Sequence, residues 1–268
     1  MTTPQMKCPV LEFIPQGRFK EPLRSGMNSK ESAINKKQIM KKLRELSDSD
    51  IAAHSQRFFK TGKREYGEGD RFLGIRMPTL RKCLREYSDI SLGDTLELLK
   101  TSFHEARLLA LLILVAKYSS AANSREEDAI YRSYLSHTEF INNWDLVDTS
   151  AAQIVGAHLF TRDRKPIYRL ARSGSLWERR IAVISTFYFI RREEFSDTLA
   201  IAGLLLRDRQ DLIHTAVGWM LREVGNRDRN AEEEFLDKHY KKMPRTMLRY
   251  AIEKLPENER LAYLHGRI

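Results

Sequence analysis

Residues Asn142, Asn143, Trp144, Asp145, Leu146, Val147 and Asp148 put an indole and a carboxylate four positions apart, in what the pattern predicts as the first turns of a helix. At about 3.6 residues per turn, Trp144 and Asp148 share one face and Asp145 is swung away from it. A flat π surface beside an anion is suited to holding something cationic. The same two residues also fit a plain structural reading, with Trp144 as core and Asp148 as a helix-surface acid.

The elements that must position this pair are helices. Ile39, Met40, Leu43 and Leu46 mark one face of a first helix, and the run from Ser47 to Asp50 ends it and supplies the cap of the next. The Gly-rich stretch from Thr61 to Leu73 reads as a surface loop, and Pro78 sits where the first turn of a new helix tolerates it. No strand precedes that loop and its glycine spacing is wrong for phosphate binding. Periodicity predicts further helices near 91–101, 103–120, 124–138, 143–160, 165–173, 176–193, 196–208, 210–225, 230–242, 245–255 and 257–265. Nothing alternates with the period of a strand. The fold class is therefore all-α, with short links implying an α-solenoid of antiparallel helix pairs.

An internal period supports this. Arg107, Trp144, Arg180 and Trp219 follow one another at intervals of 37, 36 and 39 residues, close to the HEAT repeat of about 40 to 47. They would occupy equivalent helices and line one surface. Between Arg162 and Arg192 lie nine basic residues, among them Lys165, Arg179 and Arg180, against the two acids Asp163 and Glu178. Lys238, Lys241, Lys242, Arg245 and Arg249 form a second cluster. Either is an ordinary solvated face taken alone; beside a groove, both become phosphate contacts.

Composition bounds the rest. A chain of 268 residues with 42% hydrophobic content can bury a large core, and its formal charge of +10 favours polyanionic partners, nucleic acid or acidic lipid. Two cysteines, Cys8 and Cys83, make neither a disulfide framework nor a metal cluster, and the seven histidines lack ligand spacing. No metal and no cofactor is expected. Residues 1–28 hold four of the eight prolines and read as a mobile extension ahead of one HEAT-like domain over 29–268. No apolar run reaches membrane-spanning length, so a soluble, cytoplasmic monomer is expected.

Four segments carry a resemblance: Phe72 to Pro78, Trp144 to Asp148, Trp177 to Ala182, and Ala216 to Glu223. In order and spacing they resemble the DNA alkylation repair proteins, HEAT-like-repeat glycosylases of the AlkD type with an ARM-like superhelix. That resemblance implies a base excision repair enzyme that removes cationic alkylated purines, 3-alkyladenine and 7-alkylguanine, from duplex DNA. It matches Asp148 to the catalytic aspartate, Trp144 and Trp219 to the tryptophans contacting the damaged nucleotide, and Arg180 to the arginine beside them. Arg76 and Arg222, inside two of the segments, join Arg107, Lys165, Arg179 and Arg245 as expected DNA contacts. The loop from Thr61 to Leu73 is longer than in the family archetype. Two other readings stand beside this one: a HEAT-like protein that binds damaged or branched DNA without chemistry, and a protein-binding scaffold.

Overall fold

Ile39, Met40 and Leu43 recur at helical intervals, and in the computed structural model, which describes residues 35–268, they are the buried face of α1 (Lys36–Glu45). Asn35 and Gln38 close a reciprocal capping box at its start. Asp48 caps α2 (Ser49–Phe58), its Oδ1 accepting the Asp50 and Ile51 N–H groups at 3.0 Å. Pro78 lies in the first turn of α3 (Met77–Tyr87). Then come α4 (Leu92–Leu99), α5 (His104–Ser120), α6 (Ser124–Leu135) and α7 (Trp144–Asp148). Regular structure is helical throughout, with no β-strand among the described residues beyond one isolated bridge between Arg71 and Phe103. The fold is all-α and HEAT-like. The proline-bearing segment 1–28 lies outside the described residues.

Chain contacts divide the molecule into two compact units, one ending at Ser150 and the other spanning Ala151–Ile268. In the first, α5 is central: it packs on α3, α4 and α6 and touches α7. Its sequence is apolar almost all round, as a helix covered on several sides must be. The Gly-rich loop is exposed over 62–65 and at Glu68, Gly69 and Arg71, as a surface loop is, but its far end packs on this core: Gly67, Asp70 and Leu73 are buried, and Gly74 and Ile75 after them. Gly74 makes that close seat possible. Its φ is +82°, and a Cβ there would lie 2.0 Å from the Asp48 carbonyl oxygen. Gly74→Ala is expected to destabilise the protein by about 2–4 kcal/mol, combining backbone strain with overpacking. Urea denaturation would check this, and a loss under about 0.5 kcal/mol, the scale of an ordinary surface change, would refute it.

The second unit opens with a π-helical turn, Ala152–Gly156, that runs into α8 (Ala157–Leu159). It continues through α9 (Lys165–Ala171), α10 (Leu176–Ser185), α11 (Phe187–Ile190), α12 (Ser196–Leu205), α13 (Asp211–Gly225), α14 (Arg229–His239), α15 (Arg245–Ala251) and α16 (Glu257–His265). The pair α13 and α15 packs most closely, through Gly218, where a Cβ would meet the Met247 carbonyl oxygen at 2.4 Å. Two predicted helices are interrupted. The one expected over 143–160 stops at Asp148, where the Thr149 and Ser150 hydroxyls bond back to the Asp145 and Leu146 carbonyls at 2.8 and 2.6 Å. The one expected over 176–193 breaks at Thr186, whose hydroxyl returns to the Val183 carbonyl at 2.7 Å. Both breaks carry hydroxyls bonded back to helix carbonyls, a feature that apolar periodicity does not register.

Candidate active site

A five-residue helix cannot hold itself, so the attitude of α7 comes from its anchors. Asn143 caps it, accepting the Trp144 N–H at 2.8 Å while its side-chain amide donates to Asp70 Oδ2 at 3.2 Å. Asp145 accepts the Leu146 N–H at 2.9 Å through Oδ1 and lies 2.7 Å from His104 Nε2 through Oδ2. At the far end Ser150 Oγ meets the Tyr134 hydroxyl at 2.9 Å. Between these anchors Trp144 is 6% exposed and Asp148 only 1%. Asp148 is therefore no surface acid. Burial, and after it the negative charge of Asp148, pushes the Tyr134 phenol up against the opposing Ser150 hydrogen bond.

Trp144 is packed as core on one side. Its ring stacks on Phe59, with centroids 5.3 Å apart and planes 20° apart, and Phe58 meets it edge-on at 6.2 Å. The stack continues from Phe59 to Phe72 at 5.1 Å and from Phe72 to His104 at 4.4 Å. The Trp144 indole N–H is buried without a hydrogen-bond partner.

Beneath this stack lies a charged network that sequence reasoning missed. His104 is 2% exposed and directs Nδ1 at Asp70 Oδ2, 2.8 Å away, and Nε2 at Asp145. Arg107 bonds Asp70 Oδ1 and the Asn142 side-chain oxygen. Glu105, 4% exposed, accepts the Leu73, Gly74 and Ile75 N–H groups at 2.7–3.2 Å. One signal was available. In a helix otherwise apolar all round, His104, Glu105 and Arg107 have to be buried with it, and buried charges need partners.

Burial alone would depress the His104 imidazolium, but the facing carboxylates, Asp145 foremost and then Asp70, outweigh it and push the pKa from 6.5 up to about 9. Burial likewise raises Asp70, and the His104 and Arg107 contacts overcome it, holding the carboxyl below its usual range. Because the folded histidine titrates above the unfolded one, the stability it adds is complete below about pH 6.5 and is lost as pH rises through about 9. The difference in urea midpoint between wild type and His104→Gln is expected to narrow across that window. A constant difference would show that the imidazolium contributes nothing.

In the second unit, Trp219 on α13 is half-buried, 6.1 Å from the Phe187 ring, and its indole N–H donates to Glu223 at 3.3 Å. Arg180 on α10 is 4% exposed and donates to the Leu212 carbonyl. Its neighbour Arg179 points elsewhere, paired with Asp208 at 2.6 Å.

A family profile described as DNA alkylation repair enzyme matches residues 39–255, most of the chain and both units. The chain belongs to the DNA alkylation repair enzyme family. Its fold is similar to that of a solved structure described as a predicted DNA alkylation repair enzyme from Enterococcus faecalis, with a TM-score of 0.61 at 15% identity over 79% of this chain and 97% of that one. No curated protein matches the sequence. Membership of the DNA alkylation repair family implies DNA binding. Among the described residues no group of histidine, cysteine and acidic side chains is placed to hold a metal ion, and no helix is long and apolar enough to cross a membrane.

Against that family background the expected DNA contacts divide sharply. Arg107 is 6% exposed and bound inside the network, a structural cation for Asp70. Arg222 is half-buried and paired with Glu253. Arg76, Lys165 and Arg245 are exposed, Lys165 with 86% of its side chain open. All five cations of the second cluster, Lys238, Lys241, Lys242, Arg245 and Arg249, are exposed as well.

Proposed function

We propose that this family member is a DNA glycosylase that hydrolyses the N-glycosidic bond of cationic alkylated purines, 3-alkyladenine and 7-alkylguanine, in base excision repair. The observation that carries this reading is Asp148 at 1% exposure, one helical turn after Trp144 on a helix held by tertiary anchors. A carboxylate that deep is costly to keep, and a protein that only binds phosphate gains by losing it.

The chemistry asks little of the protein. A cationic base is already a good leaving group, so no general acid is needed. What remains is stabilising the oxocarbenium character that develops on the deoxyribose, which an ionised Asp148 supplies while orienting the attacking water. Trp144 supplies a π face that attracts positive charge and excludes water. None of these roles requires a cofactor or a deep base-flipping pocket.

The test is release of 7-methylguanine and 3-methyladenine from methylated duplex DNA by the wild-type protein. Absence of release with tight DNA binding would favour the non-catalytic binder. Affinity itself carries a second expectation. With the five exposed cations of the second cluster each neutralising a phosphate, log affinity should fall against log salt with a slope of about −4 or steeper. A slope near zero would point to the scaffold reading instead.

A further inference from the structure

We propose that His104, gripped at both ring nitrogens by Asp70 and Asp145, is the positioning residue that sets α7 and with it the Trp144 indole and the Asp148 carboxylate. The inference rests on the glycosylase reading for its catalytic meaning, but its geometry lies wholly within the first unit.

Two routes lead from the imidazole to α7. The polar route is short: Nε2 holds Asp145, the second residue of α7, at 2.7 Å, and Nδ1 holds Asp70, which also receives the amide of the cap residue Asn143. Both ring nitrogens face carboxylates, so both must donate, and the ring is an imidazolium. The aromatic route is a stack from His104 through Phe72 and Phe59 to Trp144, each pair of rings 4.4–5.3 Å apart and within about 21° of parallel. The loop supplies Phe72 and Asp70, and Glu105 fixes that loop through three backbone N–H groups. His104 thus joins the loop, α5 and α7 at one point. The charged groups around it are Asp70 from the loop, Asp145 from α7, and Glu105 and Arg107 from α5 itself.

The preference for an imidazolium over a neutral residue follows from α7's brevity. Five residues give the helix no axis of its own, so a displaced Asp145 carries Trp144 and Asp148 with it. A misplacement of about 1 Å at a reacting group costs on the order of 100-fold in rate.

Two variants test this: His104→Gln, and Asp145→Asn, whose single oxygen can serve the histidine N–H while the charge is removed and its NH₂ is set against the Leu146 N–H. The chain has three tryptophans, so 5-fluorotryptophan labelling yields three fluorine resonances, assigned by single Trp→Phe changes. In both variants the Trp144 resonance is expected to move while those of Trp177 and Trp219 stay. In the wild type it should also titrate as the imidazolium loses its proton, and that titration should vanish in His104→Gln. Single-turnover base release should slow roughly 10- to 100-fold with DNA affinity unchanged. In an Asp148→Asn background His104→Gln should cost less than it does alone, because only the misplacement of Trp144 then remains to slow release. A Trp144 resonance unmoved in both variants overturns the proposal, as does a fall in DNA affinity in step with rate, which marks general loosening. If the wild type releases no base yet the Trp144 resonance responds as described, the glycosylase reading fails and the positioning assignment is supported.

Discussion

Asp148→Asn is expected to slow release of 7-methylguanine and 3-methyladenine from methylated duplex DNA by roughly 10²–10³-fold, the scale of removing one electrostatic stabiliser of a transition-state charge. Asparagine has nearly the same volume, so packing around α7 is preserved, and the lost quantity is the negative charge. DNA affinity should hold or rise, because a carboxylate that repels phosphate has gone. That opposite movement of rate and affinity separates the catalytic role from damage to the fold. Trp144, 94% buried against Phe58 and Phe59, is a poorer first target, since truncating it would also open a core cavity. Release by Asp148→Asn within a few-fold of wild type would remove this residue from the mechanism.

Glu105→Ala is expected to be the most destabilising single change in the first unit. One carboxylate satisfies three buried amides, Leu73, Gly74 and Ile75. Removing it leaves all three without an acceptor, at roughly 3–5 kcal/mol in total, a large share of the roughly 5–15 kcal/mol that holds a typical domain folded. Glu105→Gln should lose about half as much. Its single oxygen can serve Gly74 and Ile75, which share Oε1, while its NH₂ is set against the Leu73 N–H. Urea unfolding of both variants would establish the order, and an alanine variant losing under about 1 kcal/mol would mean that the amides find other acceptors. Because the same loop carries Phe72 and Asp70, base release should suffer in both variants along with stability.

Much of the architecture could be read before any coordinates. Ile39, Met40 and Leu43 announced α1, Asp48 its successor's cap and Pro78 the start of α3. Where the reading fell short, the missed feature was polar and local, as with the Thr149, Ser150 and Thr186 hydroxyls at the breaks in two expected helices. The Gly-rich stretch reads as surface and most of it is; that its far end folds inward depends on Glu105, some thirty residues later.

By itself the sequence determined most of the helices, the capping run ahead of α2, the family, and the placing of Trp144 and Asp148 one turn apart, because periodicity and capping act over three or four residues. Only the tertiary structure decided that Asp70, His104 and Asp145 would meet, that Arg107 would turn inward rather than toward solvent, and that Asp148 would be buried. The partners of His104 lie 34 and 41 residues away. No pattern along the chain records a pairing at that distance, since it arises where a loop, a long helix and a five-residue helix pack together and each buried charge must find its opposite.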